Sequence, residues 1–375
     1  MLAALYVSGP ACATDEAPPA AVQIEPHIAL LLPLKSPVFG RAAGIVQQGF
    51  MAAANNQPLP LPIIAYATDS ESQEVAALYP KAIANGAVAV AGPLTRDGVA
   101  ALAAATEISV PTLALNVGEM RGLDQLYFFG LSAEAEARQV AQLAAAAGLR
   151  GATLVSTGTP LSARLSQAFA AEWKTLGGDV LKELTYGNNP EVLADLPDSP
   201  GNMVFLAADA AKARMIHPYI DIAIPVYAIS QLFNGNTDTL TNYDLNNTRF
   251  VDMPWLLQPE HPAVMVYPRP EQSLEPDMER LYALGIDAFR LLQIMLNNTY
   301  RTELPLDGVT GQISLNSNHQ FLRKAIPAQI RQGRGQPLDT RQLAVPPNDR
   351  SLTPVPPLPG GEGYGKSLRE INAIP

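Results

Sequence analysis

The sequence predicts an α/β protein with two lobes, each a parallel-rich sheet flanked by helices, and with disordered termini. Two patterns predict this fold class. Short apolar runs alternate with stretches of helical periodicity, which is typical of parallel strands that are buried on both faces and connected by helices. The alternation restarts after residue 129, which indicates a second set of βα units and therefore a second lobe. A chain of 375 residues is long enough for more than one hydrophobic core.

The first set of units begins with the apolar run Ile28–Leu32. Strands are predicted, in chain order, at 28–32, 63–67, 87–90, 111–115 and 126–129. The helices between them are predicted to begin at side-chain caps, namely Ser36 with the first-turn proline Pro37, Ser70 with Gln73 as a capping box, and Thr95. Strands and helices in this order favour a parallel sheet with right-handed crossovers.

The second set of units follows the same logic. Strands are predicted at 152–155, 203–206 and 225–228, and helices are predicted to begin at the caps Ser132, Thr159 and Asp209. A long amphipathic helix follows, with apolar positions in register at Leu274, Met278, Leu281, Leu284, Ala288, Leu291 and Met295. We therefore expect a leader and linker over 1–26, a first lobe over 27–129 plus 259–305, a second lobe over 130–258 plus 306–332, and a disordered tail over 333–375.

The N-terminal segment has features of an export signal. Residues 1–13 are largely apolar and end in Ala11-Cys12-Ala13, a spacing of small residues similar to a signal-peptidase site. No Lys or Arg precedes the apolar part, which a start codon assigned too late would explain. Three interpretations stay open: a cleaved leader, lipidation of Cys12, although Gly9-Pro10-Ala11 matches a lipobox poorly, or a flexible N-terminus. No other apolar run is long enough to span a bilayer.

Charge and cysteine content exclude several classes of function. The net charge is −10, with 35 acidic and 25 basic residues, and no basic stripe is present. This balance opposes binding to a phosphate backbone, so no nucleic-acid partner is predicted. Cys12 is the single cysteine, which excludes a disulfide framework and a cysteine-based metal site.

Catalytic patterns are absent from the sequence or stand in the wrong context. Gly360–Ser367 satisfies the G-x-x-x-x-G-K-[ST] expression, but a proline-rich stretch precedes it, where a phosphate loop needs a strand. The four histidines, His27, His217, His261 and His319, have no ligand-spaced partner, and no G-x-S-x-G elbow exists. Glu134 and Glu136 lie on different faces of one predicted helix, which favours helix-dipole partners over an acid–base pair. We predict no catalytic residue, metal or cofactor.

A binding cleft is the site that the fold class predicts. In open parallel sheets, ligands lie beyond the carboxyl ends of the strands, against loops and helix N-termini. The candidates are Lys35, Ser36, Leu94, Thr95 and Asn116 in the first lobe, and Ser156, Thr157, Asp209, Ser230 and Gln231 in the second. The hydroxyls of Ser36 and Thr95, beside free helix amides, could hold a carboxylate, or they could simply cap their helices.

Several short motifs carry a resemblance to a known superfamily. The segment 28–50, with Leu32-Pro33-Leu34, Gly40, Gly44 and Gly49-Phe50, resembles the opening of type I periplasmic binding proteins. The segments 284–289 (Leu-Gly-Ile-Asp-Ala-Phe) and 306–311 (Leu-Asp-Gly-Val-Thr-Gly) are similar to their closing signature. Together with Gly92-Pro93-Leu94, these pieces most resemble the LpoA/LppC family of penicillin-binding protein activators. The resemblance covers roughly 27–333.

This resemblance implies a periplasmic protein, anchored to the outer membrane if Cys12 carries a lipid, that docks on a class A penicillin-binding protein and stimulates peptidoglycan synthesis without catalysing a reaction itself. Two departures bear on that partner. The N-terminal helical-repeat domain of longer family members is absent from this sequence, and Ile326-Pro327-Ala328 stands where the family typically has a Trp-Ala pair.

Two other functions remain as alternatives. The first is a periplasmic substrate-binding protein of the ABC-transporter type, which would close its two lobes on an amino acid or similar small solute. The predicted cleft residues include no arginine to clamp an α-carboxylate, which counts against this alternative. The second is an enzyme, for which the sequence offers no nucleophile, metal cluster or cofactor loop in a suitable context.

Overall fold

The computed structural model describes residues 25–339 with the exception of 106, 119–123 and 238. Strands and helices alternate at its beginning. Their bounds are β1 His27–Leu32, α1 Gly40–Asn56, β2 Ile63–Ala67, α2 Glu71–Ala84, β3 Ala87–Ala91, α3 Arg96–Ala105, β4 Thr112–Ala114 and β5 Leu126–Phe129. Every residue of β1 and of β4 is buried, because helices cover both faces of the sheet.

A second alternating series follows the first. It comprises α4 Ala133–Ala146, β6 Gly151–Ser156, α5 Pro160–Thr175, β7 Asp179–Thr185, β8 Asn202–Ala207, α6 Ala210–Ile216, β9 Val226–Ala228 and β10 Arg249–Asp252. The predicted caps Ser132, Thr159 and Asp209 each accept a hydrogen bond from a backbone amide three residues ahead, at 3.1, 3.1 and 2.8 Å. Each such cap stabilises its helix by about 1 kcal/mol.

The last part of the described chain contains the predicted amphipathic helix and three hairpins. The elements are α7 Pro254–Leu257, α8 Pro262–Met265, α9 Pro276–Asn297, α10 Tyr300–Glu303, β11 Leu306–Asp307, β12 Gln312–Leu315, β13 Gln320–Lys324, β14 Ile326–Arg331 and β15 Arg334–Pro337. Short 3₁₀ turns lie at Pro190–Leu193, His217–Tyr219, Ser230–Leu232 and Tyr243–Leu245.

The strands form two sheets, which confirms the predicted two-lobed architecture. Lobe 1 contains an eight-stranded sheet in the order β11-β12-β13-β5-β4-β3-β1-β2, and lobe 2 a seven-stranded sheet in the order β15-β14-β10-β9-β8-β6-β7. The chain crosses between the lobes at three places, namely 130–132 before α4, Met253 after β10, and Ala325 between β13 and β14.

Two glycines bring α1 and α9 together in lobe 1. A Cβ atom at Gly49 would lie 1.9 Å from the carbonyl oxygen of Tyr282, and one at Gly285 would lie 2.1 Å from that of Val46. Beside this contact the rings of Phe50 and Phe289 pack edge to face, with centroids 5.2 Å apart. Gly49 of the opening motif therefore contacts α9, and Gly285 of the closing motif contacts α1.

Sheet membership differs from the predicted division in two places. Residues 306–324 lie in the sheet of lobe 1, not in lobe 2, because β13 pairs in parallel with β5 before the chain crosses at Ala325. The strand β15 lies inside the predicted tail, which was expected to begin at 333. It forms because a turn with positive φ at Gln332 and Gly333 folds the chain back onto β14. The leader, Cys12 and the pattern at 360–367 lie outside the described residues.

Two predicted helix starts also differ. The helix α1 begins at Gly40, because Ser36 forms a preceding turn whose carbonyl oxygen accepts from the Gly40 amide at 2.8 Å. Ser70 precedes α2 as predicted, but its hydroxyl caps no amide and lies 3.3 Å from the Ser72 hydroxyl. Glu74, not Gln73, accepts the backbone N–H of Ser70, at 2.8 Å. The strands β7 and β10 were not predicted, because their sequences, DVLKELT and RFVD, lack a continuous apolar run.

In the part of the chain that the structure describes, no helix combines the length and the apolar character needed to cross a bilayer.

Candidate functional site

A cavity of about 540 Å³ lies in lobe 1, beyond the carboxyl ends of β1, β3 and β4. One wall is apolar and consists of Phe39, Leu281 and Leu284, with the exposed side chain of Val38 at its rim. The other wall contains polar groups from the loops that precede α2 and α3. This is the position in which open parallel sheets typically hold ligands.

Four of the predicted cleft residues line this cavity: Ser36, Leu94, Thr95 and Asn116. The Asn116 side chain is not free, since its Nδ2 donates to the Leu94 carbonyl oxygen at 2.8 Å and its Oδ1 accepts from Val117 N at 2.9 Å. Asn116 therefore fixes the loop after β3 to the loop after β4.

The other six predicted residues do not line the cavity. Lys35 is exposed and lines a separate depression beside β2. Ser156 contacts the Leu184 carbonyl and the Thr185 hydroxyl, each at 3.3 Å, and the half-buried Thr157 follows it at the end of β6. Asp209 caps α6, Ser230 is buried between the lobes, and Gln231 is half-buried beside it. None of the five residues predicted for lobe 2 therefore lines this cavity.

The carboxylate of Glu71 occupies the amides that were predicted to be free. Its Oε1 accepts from Leu94 N at 2.9 Å, and its Oε2 accepts from both the amide and the hydroxyl of Thr95 at 2.6 Å. Thr95 also caps α3 as predicted, because its hydroxyl accepts from Gly98 N at 3.1 Å. Burial raises the pKa of Glu71, while the hydrogen bonds from Thr95 and Leu94 oppose that rise.

An ion-pair cluster joins the two lobes beside this cavity. Glu134, in the first turn of α4 in lobe 2, accepts from Arg96 of lobe 1 at 3.1 Å and from Arg164 of α5 at 2.9 Å. Partial burial alone would raise the pKa of Glu134, but its own backbone amide and the two arginines lower it to about 2. Glu134 therefore stays ionised at neutral pH and links α3 to α4.

A buried arginine ties α9 of lobe 1 to lobe 2. Arg280 donates to Asp252 through Nε at 3.1 Å and through Nη2 at 2.6 Å. The same Nη2 is within hydrogen-bonding distance of the carbonyl oxygens of Ser230, at 3.0 Å, and Phe233, at 3.1 Å. Arg280 is 6% exposed and Asp252 is fully buried, so water cannot replace these partners.

A second buried pair lies near the crossings at 130–132 and at Ala325. Arg323 of β13 donates to Glu136 of α4, whose second carboxylate oxygen accepts from Ser230 N at 3.1 Å. Next to this pair, the Gln139 side chain donates to the Ala325 carbonyl at 2.7 Å and accepts from its amide at 3.0 Å. Directional bonds between buried groups therefore lie beside each crossing segment.

The two pieces of the closing signature are joined by Asp287, which is fully buried in α9. Its Oδ1 accepts from Val309 N at 3.1 Å, and its Oδ2 accepts from the amide and hydroxyl of Thr310 at 2.8 and 2.7 Å. Arg290 completes the carboxylate shell at 3.0 Å. The signature thus fixes the hairpin β11–β12 to α9, which is a structural role.

The histidines stay apart in the structure. His27 contacts Tyr66, His261 lies 3.8 Å from Asp307, and His319 stacks on Tyr127. Burial lowers the pKa of His217, against the effect of Asp244. Among the residues that the structure describes, no three His, Cys, Asp or Glu side chains are grouped so that they could hold a metal ion.

Sequence reasoning missed the groups that organise this region. Glu71 stands in the first turn of a helix, where acidic residues are common on any surface, so no local signal distinguishes it. Asp287 did carry a signal, because it lies three residues after Leu284, on the apolar face of α9. Glu134 and Glu136 were assigned to the helix dipole; both do lie in the first turn, and each also pairs with an arginine.

The chain is similar in sequence to one protein family and to several named proteins. A family model described as "LppC putative lipoprotein" matches residues 21–199 and 194–333. A "Penicillin-binding protein activator LpoA" from Edwardsiella piscicida is 28% identical in an alignment that covers 71% of this chain and 45% of that protein. The LpoA of Yersinia pestis is 26% identical in an alignment that covers 83% of this chain and 61% of that protein. The chain therefore spans about half the length of the curated relatives it matches.

Solved structures share the fold. Full-length LpoA from Haemophilus influenzae has a TM-score of 0.69 and 25% identity, over 84% of this chain and 59% of that one. A protein from Chromobacterium violaceum described as a "putative branched-chain amino acid ABC transporter" has a TM-score of 0.70 and 37% identity, over 81% of this chain and 100% of that one. The fold is therefore that of LpoA and of periplasmic binding proteins. Since the family model covers both lobes, the chain belongs to the LppC family.

Proposed function

We propose that this chain is a non-enzymatic activator that binds a class A penicillin-binding protein and regulates peptidoglycan synthesis. The observation that carries the proposal is the match to relatives named penicillin-binding protein activators, which extends over 71–83% of the chain in the Edwardsiella and Yersinia proteins. The match includes both lobes, so the proposal concerns the whole described body.

The contacts between the lobes support binding through a preformed surface. Solute capture in a two-lobed protein works by closure of the lobes about their crossing segments. Here the buried pairs Arg280–Asp252 and Arg323–Glu136 hold those segments, and breaking one partner of such a pair costs about 3–5 kcal/mol. A protein whose lobes keep one arrangement presents the same outer surface to a partner at all times, which lowers the entropic cost of association.

The proposal is tested with purified components. We expect the protein to co-precipitate with a class A penicillin-binding protein and to raise its rate of glycan polymerisation or crosslinking. A type I binding protein of similar size and net charge serves as the control, because it shares the fold and should have no effect. Absence of both binding and rate change would contradict the proposal.

A second candidate is a substrate-binding protein for an amino acid, favoured by the 37% identity to the Chromobacterium violaceum protein over its full length. The filled amide site at Leu94 and Thr95 opposes it, because a bound amino acid needs donors for its carboxylate. A thermal-shift screen with amino acids and cell-wall peptides separates the two functions. A ligand at 100 times its dissociation constant would stabilise the protein by about 2.7 kcal/mol.

We also propose export to the periplasm, with Cys12 as the lipid acceptor that anchors the protein at the outer membrane. The lipoprotein description of the family and the apolar N-terminal segment support this location. Fractionation of the wild type and of Cys12→Ser tests it. We expect the variant to leave the membrane fraction, and equal membrane association of both would contradict lipidation at Cys12.

A further inference from the structure

We propose that Glu71 is a built-in ligand: its carboxylate occupies the anion subsite of the lobe 1 cavity, so that the cavity refuses free carboxylates. The inference concerns which molecules the cleft can bind. It does not depend on the proposed partner.

Three donors converge on this side chain at the start of α3. Two are backbone amides, of Leu94 and Thr95, and the third is the Thr95 hydroxyl, all within 2.6–2.9 Å of a Glu71 oxygen. The helix α3 has ten residues, so its N-terminal amides and dipole favour a negative charge at this point. A free carboxylate would need the same two amides and the same hydroxyl.

A glycine makes room for the internal carboxylate. A Cβ atom at Gly98 would lie 2.7 Å from Cβ of Glu71 and 2.8 Å from its Oε2. A side chain at position 98 would therefore require Glu71 or the start of α3 to shift. Glu71 itself is only 3% exposed, which means that its side chain fills the subsite instead of bordering it.

Competition strongly favours the attached carboxylate over a dissolved one. Because Glu71 is part of the chain, it is present at an effective concentration of millimolar or higher and loses little further entropy on binding. An incoming carboxylate would have to displace it, or would sit beside it as a second negative charge in a desolvated place.

The rest of the cavity disfavours negatively charged groups as well. Asp69 and Asp97 line it with exposed carboxylates, while the one arginine among its lining residues, Arg96, pairs with Glu134. Its remaining wall is apolar. The groups that fit are therefore apolar and neutral or cationic, such as an aliphatic side chain or an amine.

Chemical rescue tests this role. In Glu71→Ala the two amides and the hydroxyl lose their acceptor, and sodium acetate should bind in its place. We expect a saturable rise in the unfolding midpoint on the order of 2–4 °C with acetate, relative to sodium chloride at equal ionic strength. The wild type should show no acetate-specific rise. Glu71→Gln should show none either, because its side chain still fills the space.

Glu74→Ala is the matched control. Glu74 also accepts backbone amides, those of Asp69 and Ser70, but it is more exposed, so water can replace it. If Glu71→Ala does not fold in chloride, recovery of the folded protein on refolding in acetate is measured instead. An acetate response equal in all four proteins, or absent from Glu71→Ala under both conditions, would overturn the proposal. Neither result involves the synthase, so the proposed activator function is tested separately.

Discussion

Substitution of Arg280 tests whether its buried ion pair with Asp252 connects the two lobes. Replacing Arg280 with Met keeps most of the apolar stem and removes the guanidinium, which leaves the fully buried carboxylate of Asp252 without its cation. The carbonyl oxygens of Ser230 and Phe233 lose a donor at the same time. Water cannot reach these atoms, so we expect a large loss of stability.

The magnitude follows from the burial. Removing one partner of a buried ion pair costs about 3–5 kcal/mol, which in a domain of this size lowers the unfolding midpoint by on the order of 10 °C. Asp277→Ala is the matched control. It removes the other carboxylate that Arg280 contacts, at 2.7 Å, but Asp277 is 77% exposed, so its loss should cost less than about 1 kcal/mol.

The two tryptophans of the sequence allow each lobe to be followed separately. Trp255 is buried in the core of lobe 1 and Trp173 in that of lobe 2. Urea unfolding is monitored by fluorescence in Trp173→Phe and Trp255→Phe backgrounds. With Arg280 intact we expect coincident transitions, and in Arg280→Met we expect both a loss of stability and a separation of the two transitions.

A second replacement checks the cause. Arg280→Met combined with Asp252→Leu should recover at least half of the lost free energy, because an apolar pair leaves no buried charge unpaired. A loss in Arg280→Met no larger than in Asp277→Ala, or no recovery in the double variant, would refute the reasoning that a buried ionic contact holds the lobes.

Three further perturbations have defined outcomes. Gly285→Ala should lower the free energy of unfolding by about 1–3 kcal/mol or more, because its Cβ would lie 2.1 Å from a backbone oxygen of α1. Gly44→Ala is the control, since a Cβ there meets nothing within 4 Å, and it should raise the free energy of unfolding by up to about 1 kcal/mol. Equal effects of the two variants in thermal unfolding would contradict the close helix contact. Asp287→Asn should cost about 1–3 kcal/mol in urea unfolding, since an amide cannot accept from all of its present donors; an unchanged midpoint would contradict its structural role. Glu134 has a lowered pKa of about 2, so the stability it contributes is present above about pH 4.5 and lost as the pH falls towards 2. Its arginine partners are half-exposed, which limits this contribution to about 1 kcal/mol. Glu134→Gln should therefore lose less stability than the wild type between pH 5 and pH 3 in acid unfolding.

The fold class could be predicted from the sequence because its cause is local. A strand buried on both faces must be apolar along its whole length, as in Ile28–Leu32, and a helix on a sheet must repeat its apolar residues at helical spacing, as α9 does. Caps such as Ser132 and Thr159 act within three residues and were predicted for the same reason. The strand β7 escaped prediction, because it is mostly exposed and its sequence has no continuous apolar run.

The sequence by itself determined that apolar strands and helices alternate twice, and hence that there are two lobes, because periodicity and capping depend on neighbours along the chain. Only the tertiary structure decided which buried charge meets which partner. Glu71 reaches amides 23 and 24 residues away, Arg280 reaches Asp252 across the lobes, and β13 pairs with β5 from nearly 200 residues further along the chain. Such contacts leave no mark on local composition. They determine that Glu71 already occupies the amides that could have held a free carboxylate, and that buried ion pairs connect the two lobes.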